Sequence, residues 1–226
     1  RAASSRCGSA DVLEALGVNL NASPEQVARC VEEVGFGFCF APAFHPAMKR
    51  VAPIRKLLGI RTIFNLIGPL ANPAPLTFQL VGVSDARLMR PMAEALLRLG
   101  IRHGLVVHGR DGLDEVTTTG PTDVLELRAG RLTEYQLEPT GLGVSVATLE
   151  ALRGSDAAAN ARVAQEVLSG APSAASELIA LNAGCAIYAA DRAATITEGI
   201  TKAREAIESG RAKQILATVQ ELTHAG

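Results

Sequence analysis

The 226-residue sequence contains no tryptophan, and aromatic residues make up only 4% of it. Its core must therefore be aliphatic. Ala, Leu and Val supply most of the burial in a chain that is 48% hydrophobic, which suits helices packed on a sheet. Charge of one sign is also missing. A formal net charge of −1 excludes a global field that would draw the chain to nucleic acid or to an anionic membrane, while leaving local charged pockets open. Cysteine is scarce: Cys7, Cys30, Cys39 and Cys185 form no CxxC pair and no tight cluster with the four histidines. Zinc ligation is not expected from that pattern, and free thiols in a reducing compartment are the simpler reading. No apolar run reaches transmembrane length and no signal peptide is visible, so a cytoplasmic protein with no membrane or nucleic-acid partner is expected. No initiator Met opens the sequence, which begins RAASSRCGSADVLEALGV.

What is present reads as α/β. SADVLEALGV predicts a helix with Ser9 as N-cap and Asp11 in the first turn. SPEQVARCVEEVG predicts a second, capped by Ser23 with Pro24 at its first position and Val27, Cys30, Val31 and Val34 on one face. The run from Phe36 to Pro42 reads as a short strand stopped by proline, and HPAMKRVAPIRKLLG as a basic helix that Pro53 breaks or kinks. FQLVGV (78–83) and HGLVVHG (103–109) are apolar runs bounded by glycine, with an amphipathic helix between them that ends at Gly100. Strand, helix and strand at this spacing predict a βαβ unit with a parallel pair covered on both faces. TDVLELRAGRLTEYQLEP alternates around a central Ala-Gly and reads as an edge hairpin. From Val146 onward the chain reads as nearly all helix.

Three stretches could carry chemistry. Ser4, Ser5 and Ser9, with Gly8 between, place hydroxyls and amides before a helix N-terminus, a setting that suits phosphate; an ordinary capped helix is the plainer alternative. In GRDGLDEVTTTGPT, Asp114 and Glu115 are adjacent carboxylates in a loop that follows a buried strand. The carboxyl ends of parallel strands are where ligands bind, and two hard oxygen donors there suit Mg²⁺; a solvated acidic turn is the alternative. The third stretch, residues 40–75, mixes Pro, His, Arg and Asn into apolar sequence. Arg55 or Arg61 could grip a carboxylate bidentately, His45 stands between ligand contact and satisfied interhelix histidine, and Lys49, Arg50 and Lys56 read as a solvated face.

Local sequence leaves these alternatives open. Together, however, RAASSRCGSADVLEALGV, FCFAPAFHPAMKRVAPIRKLLGIRTIFNLIGPLANPA and VVHGRDGLDEVTTTGPT resemble, in order and spacing, the anthranilate phosphoribosyltransferases of tryptophan biosynthesis. The likeness runs across essentially the whole chain. It implies the fold of the C-terminal domain of nucleoside phosphorylases and phosphoribosyltransferases: a mainly parallel central sheet flanked by helices, over 1–43 and 62–226, with 44–61 a helical segment of a small all-helical domain. It implies binding of phosphoribosyl pyrophosphate (PRPP) by Arg1, Ala2, Ala3, Ser4, Ser5 and Ser9. It implies a grip on anthranilate by Arg55, with His45 and Met48 in the stretch from Phe44 that lines its approach. Asp114 and Glu115 become the metal pair for Mg²⁺, two ions per site.

No general acid or base is implied, because a weakly basic aromatic amine needs none; the barrier lies in the leaving pyrophosphate and the developing oxocarbenium charge. A homodimer is also implied. Related chains carry a Gly-Thr-Gly-Gly-Asp loop and a Lys-His-Gly-Asn run ahead of the Arg1 position, which this sequence lacks, so the chain alone is expected to be inactive. The runners-up are a pyrimidine nucleoside phosphorylase-like enzyme, which shares the first stretch more loosely, and a non-catalytic homologue acting as a binding module.

Overall fold

The structure is a computed structural model and describes residues 7–45 and 66–225. The chain divides into two compact units, Arg1–Ala74 with Gly154–Glu166 and Arg211–Gly226, and Pro75–Arg153 with Val167–Gly210.

In the first unit, α1 spans Ser9–Ala15, α2 Pro24–Val34 and α3 Ala41–Phe44. The cap of α1 is Gly8, not Ser9: the Gly8 N–H donates to the Asp11 carboxylate at 2.9 Å, and Ser9 is the first helical residue. The first-turn acid serves the amide of the cap residue, and the Asp11 amide donates to the Gly8 carbonyl at 3.0 Å, with no side-chain hydroxyl at the cap. Helix α2 starts as expected, with Ser23 accepting from the Gln26 amide and Gln26 reaching back to the Ser23 amide, and it stops at Gly35 in the left-handed region. Val27 and Cys30 are buried but Val31 is half exposed, so the apolar face is narrower than its spacing suggested. The strand expected over residues 36–42 is not formed. Residues 36–40 pair with no strand among the described residues, and Ala41 and Pro42 open α3 instead, because proline suits a helix's first turn and removes a ladder donor. The basic helix expected after His45 lies outside the described residues.

The C-terminal helix of this unit (here α8, Arg211–His224) clasps the loop between α1 and α2. The Asn19 amide donates to the Thr223 hydroxyl, the Asn19 side chain to the Thr223 carbonyl, Gln26 to the Ala225 carbonyl, and Gln220 to the Leu16 carbonyl. Val18, Leu20, Val27, Cys30 and Val219 are buried in the same unit.

The second unit holds the sheet: β1 Phe78–Gly82, β2 His103–Gly109, β3 Thr122–Arg128 and β4 Arg131–Leu137, in that order. β1 and β2 are parallel and joined through α4 (Met89–Arg98), the right number of residues for the expected crossover unit. β3 and β4 join antiparallel as the expected edge hairpin, turned through Ala129 and Gly130, both at positive φ. β2 is buried along almost its whole length because it is covered on both faces. Met92, Ala93 and Leu96 of α4 are buried beside it. A second apolar cluster joins Leu105, Val107, Val116 and Val124 to Leu181, Cys185, Ile196 and Ile200. The last four belong to α6 (Ala174–Ala189) and α7 (Ile196–Glu208), which follow α5 (Ala157–Leu168). Helices α6 and α7 cross closely at Gly184, where a Cβ would sit 2.6 Å from the Ile200 amide nitrogen. Cys30, Cys39 and Cys185 are free thiols, and Cys30 and Cys185 are buried. Residues 144–156 contain no helix, so the helical C-terminal region starts later than Val146.

Candidate functional site

The two carboxylates singled out by sequence lie in the loop between β2 and β3, at the carboxyl ends of the parallel pair. The loop is built from its own residues. Asp111 is its hub: Oδ1 accepts from the Leu113 amide at 3.0 Å, and Oδ2 accepts from the Thr117 hydroxyl at 2.5 Å and from the Thr119 hydroxyl. The Gly109 amide donates to the Leu113 carbonyl, and the Arg110 amide to the Pro121 carbonyl, closing the loop's neck. Thr117, Thr118 and Thr122 are fully buried, and the Thr122 hydroxyl accepts from the Thr117 amide.

β1 supplies the floor. Gly82 ends that strand, and a Cβ there would run into the Asp114 carbonyl. The glycine is needed because the loop's main chain lies directly on the strand. From α6, the Asn182 side chain accepts from the Val116 amide at 3.0 Å and donates to the Val116 carbonyl at 2.7 Å.

Three acids thus crowd one short segment. The Asp114 side chain is exposed and Glu115 is half-buried. Burial, then the neighbouring charges of Asp114 and Asp111, push the Glu115 carboxyl above its usual range. Asp111 goes the other way: partial burial would raise it, but the hydrogen bonds from Thr117, Thr119 and the loop amides outweigh that and hold it low. None of the described arginines, lysines or histidines forms an ion pair with these three acids. Carboxylate charge that no described cation compensates, half-buried at Glu115, favours a cation. No group of three or more His, Cys, Asp or Glu side chains among the described residues is placed to hold a metal alone. The donor set fits Mg²⁺ in the manner of a phosphate-binding site, where one or two carboxylates share the ion with water and substrate phosphates.

The opposite end of the sheet is built differently. His103 opens β2 and is 1% exposed. Its Nδ1 lies 2.8 Å from Asp191 Oδ1 and its Nε2 3.0 Å from Glu126 Oε1. Glu126 also accepts from the Tyr188 hydroxyl at 2.9 Å, while Arg102 and Arg128 donate to Asp191 at 3.2 and 3.3 Å. The hydrogen bond from His103, ahead of the charges of the surrounding cations, holds the Asp191 carboxyl low. An open cleft of about 530 Å³ beside β3 and β4 is lined by Arg87, Arg90 and Arg110. Those three are already paired with Asp85, Glu134 and Asp123, so it offers no free cationic ligand.

Of the other residues singled out by sequence, Ser9 is exposed at the start of α1 and His45 is half-buried just after α3, both in the first unit. Arg1, Ala2, Ala3, Ser4, Ser5, Met48 and Arg55 lie outside the described residues. The structure brings Asp114 and Glu115 together with Asp111, Thr117, Gly82 and Asn182, which sequence reasoning did not single out. Two had a readable signal: Asp-Gly at 111–112 is an aspartate turn, and a glycine inside a strand marks a close backbone approach.

Comparison with known proteins identifies the family of the fold. Residues 1–213 match the family described as "Glycosyl transferase family, a/b domain". The chain belongs to this family. Its relatives within it include anthranilate phosphoribosyltransferases: it is 49% identical to the enzyme of Symbiobacterium thermophilum over 99% of this chain and 66% of that protein. It is 55% identical to that of Rubrobacter xylanophilus over 94% and 62%. The chain thus spans a little under two thirds of these relatives' length. The crystal structure of the Thermus thermophilus anthranilate phosphoribosyltransferase matches with a TM-score of 0.93 at 47% identity, covering 100% of this chain and 67% of that one. The Saccharomyces cerevisiae enzyme in complex with PRPP and Mg matches with a TM-score of 0.88 at 31% identity, covering 96% and 63%. The fold is therefore that of the family's α/β domain, as expected, but where a mainly parallel sheet was expected, the described strands form one parallel and two antiparallel pairings. No helix among the described residues is long and apolar enough to cross a membrane.

Proposed function

We propose that the chain supplies the metal pair and part of the PRPP site of an enzyme that moves the phosphoribosyl group of PRPP to the amine of anthranilate, releasing pyrophosphate. The observation that carries this reading is the Asp114–Glu115 turn, set on Gly82 with no cationic partner among the described residues. The yeast relative binds PRPP with Mg and, in another crystal, 4-fluoroanthranilate, which fits the substrates inferred from the motifs.

Asp114 and Glu115 would hold Mg²⁺, two ions by family likeness. Bound there, the metal neutralises the charge that pyrophosphate gains as it leaves. Arg1, Ala2, Ala3, Ser4, Ser5 and Ser9 would hold PRPP, the stretch 1–5 as the loop and Ser9 at the start of α1. Arg55 would hold the anthranilate carboxylate by its fork and so aim the amine at the anomeric carbon, with His45 and Met48 beside the ring. The amine forms the new C–N bond as the C–O bond to pyrophosphate breaks. Its proton leaves afterwards to water or to the departing anion, so no side chain is needed as base. Residues 44–61 would belong to a small helical domain and the enzyme would be a homodimer. The free thiols of Cys30, Cys39 and Cys185 agree with the cytoplasm.

The test is a substrate panel on the protein that carries the whole PRPP loop. Anthranilate fluorescence should fall only when PRPP and Mg²⁺ are both present. Phosphorolysis of a pyrimidine nucleoside without Mg²⁺ would instead support the phosphorylase-like alternative and overturn this reading.

A further inference from the structure

Asn182 stands in the middle of α6, where asparagine is a poor helix former. It is not idle there. Its Nδ2 donates to the Leu178 carbonyl one turn back at 3.0 Å and to the Val116 carbonyl at 2.7 Å, while its Oδ1 accepts from the Val116 amide at 3.0 Å. One carboxamide satisfies both main-chain groups of a single residue, as a neighbouring strand would. That residue directly follows Glu115, and its own side chain is buried in the core beside Leu181 and Cys185.

The turn 113–115 is therefore held from three sides. Asp111 holds the Leu113 amide ahead of it, Gly82 accepts the Asp114 main chain beneath it, and Asn182 fixes Val116 behind it. The hold opposes a real force. Two adjacent carboxylates repel, and a loop free to move would turn them apart into water. A cation site formed from such a loop would have to be ordered as the ion binds, at a cost in affinity.

We propose that Asn182 is a positioning residue for the metal pair: by fixing the main chain of Val116, it keeps the Asp114 and Glu115 carboxylates preformed for a divalent cation. This rests on the reading of that pair as the metal site. A purely structural Asn182 would tie α6 to the loop without affecting the ion.

The test uses the protein with its whole PRPP loop and the metal alone as probe, Mn²⁺ followed by electron paramagnetic resonance. Asn182→Ala should weaken Mn²⁺ binding about tenfold, equivalent to roughly 1.4 kcal/mol. Exchange of the Val116 amide should speed up by a similar factor, while the amides of β2 keep their protection and the KM for anthranilate stays within about twofold. Asn182→Asp, which keeps the acceptor for the Val116 amide but loses the donor, should also weaken Mn²⁺ binding despite its added negative charge. If Asp fails to weaken it, or if Ala shifts only thermal stability, the inference is wrong. The control is Asp114→Ala with Glu115→Ala. If that pair leaves Mn²⁺ binding intact, the metal assignment itself fails; if it abolishes binding while both Asn182 variants bind normally, only the role of Asn182 fails.

Discussion

The two ends of the sheet in the second unit both gather acidic side chains, and they treat them in opposite ways. At the start of β2, Glu126 and Asp191 are met by His103, Arg102, Arg128 and the Tyr188 hydroxyl. At the carboxyl ends of β1 and β2, Asp111 is met by hydroxyls and an amide, while Asp114 and Glu115 have no described cation at all. Compensated charge holds structure together, whereas uncompensated charge, fixed in place by neutral groups, is what a site for a cation looks like. The same strand runs from one to the other, and at its carboxyl end the carboxylates are held by Asp111, Gly82 and Asn182 with no described cation beside them.

Breaking either end should therefore give different symptoms. The largest effect belongs to Asp114→Ala with Glu115→Ala. Mg²⁺-dependent turnover of the protein with its whole PRPP loop should fall about a thousandfold or more, since a metal contributes several kcal/mol to a charged transition state, and the thermal midpoint should not fall. At the other end, His103→Ala leaves Glu126 buried and short of a partner. Stability should drop by about 2–3 kcal/mol, or roughly 5–10 °C, while kcat/KM at a permissive temperature stays as it was. Calorimetry and steady-state kinetics on both variants test the contrast directly, and a loss of activity without a loss of stability in His103→Ala would break it.

A smaller effect is expected of Gly82→Ala. The added methyl must push the Asp114 carbonyl away, so the Mg²⁺ concentration for half-maximal activity should rise several-fold, alongside a destabilisation of about 1–3 kcal/mol. Smallest of all is Glu115→Gln in the metal-free protein. The Glu115 carboxyl is raised in the fold, chiefly by burial. Its ionisation therefore works against folding above that raised value, and the penalty vanishes below the unfolded value of about 4.3. The Gln variant should melt slightly above wild type at pH 7, and the gap should close as the pH falls toward 4. With Mg²⁺ added, wild type should regain the lead. Thermal melts at several pH values, with and without metal, read both signs.

Much of this contrast was legible in the sequence at one end and not at the other. The βαβ unit and the hairpin announced themselves, because apolar runs bounded by glycine are local signals, and Asp114 and Glu115 are neighbours in a motif. The compensated end was invisible: His103 meets Glu126 across 23 positions and Asp191 across 88, so only the fold brings them together. The same holds for Asn182 and Val116, 66 positions apart. Residues 36–42 misled for the reverse reason. Their apolar run suits a strand, but a strand exists only with a partner beside it, and Pro42 is equally at home in the first turn of α3. Ser9 misled more narrowly: the helix opens one residue earlier, on Gly8, whose carbonyl accepts from the Asp11 amide and whose amide donates to the Asp11 carboxylate.

The central claim is that a divalent cation settles at the Asp114–Glu115 turn and nowhere near the compensated end. Paramagnetic relaxation by Mn²⁺ measures this at each residue. In the metal-titrated protein, the amide signals of Asp114, Glu115 and Val116 should broaden first and at the lowest Mn²⁺ concentration, while those of His103, Glu126 and Asp191 remain sharp. Broadening that begins at Glu126 or Asp191, or that spares residues 114–116 throughout the titration, would contradict the account.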